Sequence, residues 1–580
     1  MSQFLPITRA EMHQKGWDQL DIILITGDAY IDHPSFGAAL IGRYLESKGY
    51  RVGILPQPDW KGDADFQALG QPRLFFGITA GNMDSMISNR TSEKNRRKAD
   101  AYSEGGVPGK RPDRATLVYC NKIRQLFPGV PIVIGGLEAS LRRLVHYDYW
   151  DNSLRRSILF DCRADILVYG MAERAIVEIA QRLEAGTPLE GIVNTARILG
   201  EKPEGEDIVE LPSYETILSQ KHALMTATVR YERELAGKNP PRVMQACQNR
   251  YLLLESPQNL PADDLDSIYT ELPFVRQAHP RYLQPIPANG FVKDSIVSHR
   301  GCYGGCSFCA LTVHQGKYIS SRSESSILKE TNLIASSEDF KGTIQDVGGP
   351  SANMYGSLCK RDQGCARFSC LHPHPCPNLQ TDQRRIALLL GKIEQVDRVK
   401  HVFINSGIRY DLALQAPEYM EKVVKDHVSG QLSVAPEHLS STVLDLMQKP
   451  SFQDYEIFCK QFDSLSQKHH KKQYMIPYFI AAHPGSTLQD MYDLAVYLRR
   501  NRLRVQQVQT YIPIPMTLSC AMYYAEISPF NSEPIHVAKG EERLLQRALL
   551  QPTLKSNAGY LRKALVTLGK LSEFGYLSGR

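Results

Sequence analysis

Short apolar runs alternate with amphipathic stretches through the first third of the chain. DIILITGD (21–28), YRVGILP (50–56), PRLFFGITA (72–80), PIVIGG (131–136) and DILVYGM (165–171) have the length and apolar content of buried strands. Between them, FGAALIGRYLESKG (36–49) sets Leu40, Ile41, Tyr44 and Leu45 on one helical face and stops at Gly49. ATLVYCNKIRQLF and ERAIVEIAQRLEAG fit two further helices. Repeated strand–helix units predict an α/β, doubly wound parallel sheet within residues 1–200.

The rhythm then breaks twice. Residues 81–113 are polar, basic and rich in Gly and Pro, without helical or strand period. Residues 201–290 are mixed and become proline-rich; they read as a connecting region with one helical stretch, YETILSQKHALMTATVRYERELAG. From 291 the alternation restarts. DSIVSH (294–299), GTIQDV (342–347), HVFINS (401–406), QLSVAP (431–436), QYMIPYFIA (473–481) and RVQQVQTYI (504–512) are the candidate strands, with amphipathic helices between them. Ser321-Arg-Ser-Glu324 has the S-x-x-E form of a capping box. Six such units are fewer than the eight of a closed barrel. They predict a partial (β/α)6 barrel over 291–518 with an insertion at 351–380, followed by a helical extension over 519–580 with helices near 540–551 and 560–572.

Composition narrows the setting. Apolar residues make up 42% and charged residues 22%, as in ordinary globular proteins. The start, MSQFLPITRAEMHQKGWDQL, lacks a basic segment followed by an apolar core, and no apolar run reaches 18 residues, so neither a secretory signal nor a membrane span is expected. A cytoplasmic protein is the expectation, in which clustered cysteines serve metals or catalysis rather than disulfides. The net charge of +6 does not by itself imply nucleic acid. The stretch 89–114 holds eight Lys/Arg against four Asp/Glu; it reads as a solvated loop or as a grip on an anionic substrate such as RNA. No RNA-binding module is recognisable elsewhere.

The cysteines carry the chemistry. Twelve occur in 580 residues, and three fall in Gly301-Cys-Tyr-Gly-Gly-Cys-Ser-Phe-Cys309. Cys302, Cys306 and Cys309 lie in the loop after the first barrel strand, the end at which such folds build active sites. Gly301, Gly304 and Gly305 let the backbone wrap closely around a ligand. Iron–sulfur clusters take four thiolates as a rule, so three leave one iron open to a substrate or cofactor. Zinc is the rival, with His299 or His314 as fourth ligand. A second group, Cys359, Cys365, Cys370 and Cys376, falls in the insertion with His372 and His374 among them; an auxiliary iron–sulfur cluster and a structural zinc site compete for it, its spacings fit no standard zinc pattern, and free thiols are the bland reading.

The spacing C-x3-C-x2-C, with Phe308 before the last cysteine, resembles the radical S-adenosylmethionine (SAM) superfamily. DHPSFGAALIGRYLE, GNMDSM, GKRPDRA, SHRGCYGGCSFC, DVGGPSANMY and SVAPEH together resemble its bacterial YgiQ family over nearly the whole chain. The resemblance implies that the triplet holds a [4Fe-4S] cluster whose open iron chelates SAM, and that one electron cleaves SAM to a 5′-deoxyadenosyl radical. It places cofactor contacts at Gly348 and Gly349 after the second strand and at Ser433 and Glu437 after the fourth. It implies a flavodoxin- or ferredoxin-type electron donor. Two alternatives stay open: a methyl- or methylthiotransferase acting on RNA or protein, and a non-catalytic iron or redox sensor. VIGGLEAS (133–140) and DILVYGMAERAIVEI (165–179) resemble the cobalamin-binding, Rossmann-like domains of related enzymes. The cobalt-ligand signature D-x-H-x-x-G is not met, the nearest string being Asp32-His33-Pro-Ser-Phe-Gly37, so cobalamin stays open as a less favoured cofactor.

Overall fold

The computed structural model describes residues 3–579 except 235, 238, 239, 362–364, 366, 504, 506 and 507. Its first half is built on five parallel strands: β1 (Ile22–Thr26), β2 (Val52–Pro56), β3 (Phe75–Thr79), β4 (Ile132–Ile134) and β5 (Ile166–Val168). All five are apolar and almost wholly buried, which is what helices on both faces require. Their spatial order is β2-β1-β3-β4-β5. The order reverses between β1 and β3, and open α/β sheets bind ligands at such a switch point. Helix α1 (Gly37–Ser47) buries Ala39, Leu40 and Leu45. Helix α2 (Glu173–Ala185) ends on Gly186, left-handed at φ 65°, whose N–H caps the Arg182 and Leu183 carbonyls.

The sheet does not stop at residue 200. Strands β6 (Thr195–Leu199), β7 (Ile208–Leu211), β8 (Arg242–Cys247) and β9 (Arg250–Leu254) extend it to nine in the order β7-β8-β9-β6-β5. Residues 201–290, expected to connect, therefore contribute three strands to the sheet edge along with several helices. The predicted long helix there is two, Tyr214–Ser219 and Ala223–Glu234, with position 235 outside the described residues.

The segment 81–113 also departs from expectation. Arg111 is fully buried between Asp28 and Asp100, each at 3.1 Å. Arg90 and Arg96 share Asp113, Arg97 donates to backbone carbonyls of Ile87 and Arg90, and Lys94 donates to the Trp150 carbonyl. Buried carboxylates need counter-charges, and Arg111 supplies one to Asp28 and Asp100.

The second half is a parallel barrel in three pieces. β10 (Ser295–Val297) pairs with Asp346–Gly348, Thr343–Ile344 pairs with His401–Val402, and Gln431–Glu437, Tyr474–Ala481 and Val508–Thr510 form a three-stranded sheet. Positions 504, 506 and 507 of the last predicted strand lie outside the described residues. The capping box is not formed as expected. Ser321 pairs with His299 and its hydroxyl accepts the Gly356 N–H, so Ser323 caps the helix Glu324–Ser336 instead. Helices Leu518–Ala525, Glu541–Leu550, Ala558–Thr567 and Phe574–Ser578 follow the barrel. Among the described residues no helix is long and apolar enough to cross a membrane.

Candidate functional site

The cysteine triplet occupies a loop pinned at both ends. Before it, His299–Arg300 pairs with Ser320–Ser321; after it comes the short helix Ala310–Gln315. The loop closes on itself through Cys302 N–H to the Gly316 carbonyl (3.0 Å), Gly301 N–H to Gln315 Oε1 (3.1 Å) and Thr312 Oγ1 to the Cys302 carbonyl (3.2 Å). Two glycines are obligatory. Gly301 and Gly305 are left-handed, φ 89° and 63°, and a Cβ would stand 2.0 Å from the Tyr318 carbonyl oxygen or 2.3 Å from that of Phe368.

Burial dominates the thiols' electrostatics. It pushes Cys309 up to about 12, and the neighbouring sulfurs of Cys306 and Cys302 add to the shift; the N–H groups of Leu311 and Thr312 pull the other way. Burial also raises Cys302, opposed by the Gly304 N–H, Arg409 and the Thr312 hydroxyl. Arg409 places Nη1 3.6 Å from Cys306 Sγ, while Asp411 holds its Nε and Nη2 at 3.0 and 2.7 Å. These thiols are costly to ionise alone. N–H donors and a fixed guanidinium already face them, an arrangement suited to thiolates bound to a cationic metal centre. Among the described residues, no three His, Cys, Asp or Glu side chains are grouped to hold one metal ion. Nor do the proposed zinc histidines turn to the triplet. His299 Nδ1 meets Ser298 Oγ at 2.9 Å, and His314 Nδ1 meets Ser140 Oγ at 3.1 Å.

The other expected residues divide between two places. Glu437 lies toward the triplet. Its carboxyl is pushed up by burial and drawn down by Lys449, at 3.7 Å, and by Arg409. Glu437, Ala482 and Met516 all adopt left-handed φ (68°, 61° and 66°) in the segments expected to close the fourth, fifth and sixth strands. Ser433 sits in the fourth strand, half-buried, opposite Ile476. Gly348 and Gly349 instead border a cavity of about 720 Å³ between the barrel and the nine-stranded sheet. A Cβ on Gly349 would come within 2.7 Å of the His299 ring. Neither Ser433 nor Glu437 lines this cavity, and the three cysteines do not either.

The second cysteine group packs against the first. Cys370 donates its N–H to the Tyr303 carbonyl (3.1 Å), and Ser369 Oγ donates to the Gly304 carbonyl (2.6 Å). A small core of Tyr303, Met354, Leu371 and Leu412 carries Cys302 and Cys370 at its edge. Cys359 sits on a two-stranded ribbon opposite Leu379, and Cys376 N–H donates to the Cys370 carbonyl at 2.8 Å. Burial and then the sulfurs of Cys365 and Cys376 push the Cys370 thiol up to about 11. His372 is not a partner for these sulfurs: it meets the Lys449 carbonyl at 3.0 Å and Asp445 at 3.5 Å.

Sequence reasoning missed Arg409 and Asp411. Nothing local marks an arginine that reaches a thiol 103 positions away.

The comparisons follow this geometry. Residues 4–295 match the Radical SAM N-terminal family, and residues 506–576 match a domain of unknown function. A UPF0313 protein of Geobacter sulfurreducens is 46% identical over 98% of this chain and 95% of its own. A UPF0313 protein of Methanocella arvoryzae is 45% identical over 98% and 96%. Among solved structures, the radical SAM methyltransferase TsrM from Kitasatospora setae, with cobalamin and a [4Fe-4S] cluster bound, superposes with a TM-score of 0.52 at 14% identity, covering 86% of this chain and 76% of that one. That likeness is one of fold.

Proposed function

The chain belongs to the UPF0313 family of YgiQ-type radical SAM proteins, and we propose that within it Cys302, Cys306 and Cys309 hold the cluster. It is a radical SAM enzyme whose cofactors are a [4Fe-4S] cluster and SAM. A cubane on three cysteines supplies electrons to SAM and an open iron for its methionine end. The chain's own part is positioning. The left-handed glycines shape the loop, and N–H donors and Arg409 balance the thiolates.

The observation that carries this assignment is the set of donors and one guanidinium already aimed at the three thiols. Gly348, Gly349, Ser433 and Glu437 are the cofactor contacts we assign; the first two lie on the cavity side and Glu437 on the Arg409 side. Residues 291–518 are then the catalytic barrel and 519–580 its extension. We assign Cys359, Cys365, Cys370 and Cys376 to an auxiliary iron–sulfur centre, because the group adjoins the triplet through a shared small core.

The chemistry needs a reductant, and a flavodoxin- or ferredoxin-type donor fits it. Twelve free cysteines suit a cytoplasmic setting. Loop 81–113 offers little to RNA, since five of its basic side chains are spent on internal partners. The partners of the Asp32–Gly37 string count against an imidazole ligand to cobalamin from it and leave cobalamin bound in another way open. Asp32 binds Arg43 in a buried pair, and His33 is taken by Ser35 N–H (3.0 Å) and Arg276 (3.0 Å).

The test is anaerobic reconstitution with iron and sulfide, followed by reductant and SAM. 5′-Deoxyadenosine above control is expected. A bound cluster that gives none with several low-potential reductants would point to the sensor reading instead.

A further inference from the structure

Helices Leu518–Ala525 and Glu541–Leu550 follow the barrel, and the cluster assignment gives them no part. The bonding of the cysteine loop gives them one. Its ends are pinned from within, through Gly301, Cys302 and Thr312. Its middle is pinned from elsewhere. Ser307, between Cys306 and Phe308, is 3% exposed, so each of its polar groups needs a partner. Its N–H donates to the Met447 carbonyl at 3.1 Å. The other two groups go to one residue 212 positions away: the Ser307 carbonyl accepts the Ser519 N–H at 2.9 Å, and the two hydroxyls meet at 2.8 Å.

Ser519 is the second residue of the helix Leu518–Ala525. An N–H at that position has no acceptor within the helix, and the loop carbonyl serves as one, while Thr517 caps the Cys520 N–H. Thr517 and Leu518 line the same small recess as Cys306 and Cys309. The Ser519 hydroxyl is directed from behind. His483 Nδ1 lies 2.7 Å from the Pro484 carbonyl, which can only accept, so the ring proton sits on Nδ1. Burial pushes this imidazole down to about 3, against the pull of the Pro484 carbonyl, so the ring is neutral and Nε2 is an acceptor. Nε2 takes the Ser519 hydroxyl proton at 2.7 Å, which leaves the Ser307 hydroxyl to donate to Ser519. The relay Ser307–Ser519–His483 thus runs in one direction, and all three residues are buried. The His483 ring also stands edge-on to Phe308, with centroids 6.0 Å apart.

His483 is itself held from the extension. Gln546, fully buried, accepts the Ala482 N–H at 2.9 Å and donates to the Ser486 carbonyl at 2.8 Å. The Gly485 N–H goes to the His536 carbonyl at 2.7 Å. Ala482 is left-handed, φ 61°, a conformation that a non-glycine residue keeps only when its surroundings impose it.

We propose that the helix Leu518–Ala525 is a wall of the cluster site, with Ser519 and His483 as positioning residues that fix the loop between Cys306 and Cys309. The extension then governs how firmly the loop holds iron. This rests on the cluster assignment, and one arm of the test uses metal-free protein so that the two can fail separately.

Ser519→Ala in the full chain removes the central link of the relay. In metal-free protein, hydrogen exchange of a peptide spanning 301–309 is expected to speed up at least about fivefold. After reconstitution, iron should pass to a chelator at least about fivefold faster, and the electron paramagnetic resonance signal of the reduced cluster should broaden. Thr195→Val is the control. It removes an equally buried hydroxyl, bonded at 2.6 Å to the Ile192 carbonyl, from the remote sheet, and should leave all of these readings at wild type. Ser307→Ala cuts the same bond from the loop side. It should match Ser519→Ala, the double variant should add little to either, and it serves alone if Ser519→Ala fails to fold. Loop exchange or iron release at the wild-type rate in a folded Ser519→Ala or Ser307→Ala variant would overturn the proposal, as would equal changes in Thr195→Val. Wild-type protein that takes up no iron would sink the cluster assignment instead, and the exchange arm would still decide whether Ser519 fixes the loop.

Discussion

The two cysteine groups lean on the same small core yet are built differently. The triplet sits on backbone that cannot be otherwise: two left-handed glycines against carbonyl oxygens, with a guanidinium fixed by Asp411 near one sulfur. The second group hangs from a two-residue ribbon and a few backbone hydrogen bonds in an insertion. Lys317 is the cation that draws Cys370 down. The difference teaches which metal centre the fold is organised around. Pre-set donors lower the cost of gathering charge at the triplet before any ligand arrives. At the second group that cost falls largely on metal binding itself.

Four changes would break or sharpen this contrast. Replacing Cys302, Cys306 and Cys309 together by alanine should abolish 5′-deoxyadenosine formation, while circular dichroism and the thermal midpoint of the remote sheet stay near wild type. Gly305→Ala comes next. Its Cβ would stand 2.3 Å from the Phe368 carbonyl oxygen at a left-handed φ, so a loss above about 2 kcal/mol in chemical denaturation is expected, together with weakened iron retention. Replacing Cys359, Cys365, Cys370 and Cys376 by serine should lower iron from about eight to about four per chain by colorimetric assay and leave basal SAM cleavage within about twofold. Unchanged iron in that variant would remove the auxiliary centre. The smallest effect belongs to Ser369→Ala. Its hydroxyl, 1% exposed, donates to the Gly304 carbonyl and accepts the Leu371 and His372 N–H groups, so about 1–2 kcal/mol of stability should be lost with catalysis retained.

The contrast also explains what was readable in advance. The five parallel strands stood out because strands buried on both faces are continuous apolar runs. The triplet was readable because cluster spacing is local. Strands β7 to β9 were not. Their burial is uneven, and the hairpin between β8 and β9 turns through Gln248-Asn249, with Gln248 left-handed, rather than through an Asn-Gly pair. The basic loop misled for a related reason. A sequence shows the arginines but not Asp28, Asp100 and Asp113 waiting for them. Arg409 and the cavity are products of distant segments meeting, and no local pattern announces either.

The central claim is a cluster on three thiolates with an iron left for SAM. Electron paramagnetic resonance of the dithionite-reduced, air-protected protein tests it most directly. The account predicts a [4Fe-4S]+ signal whose g values shift on adding SAM, and its loss in the triple alanine variant. A signal unmoved by SAM, or protein that binds zinc and no iron, would contradict it.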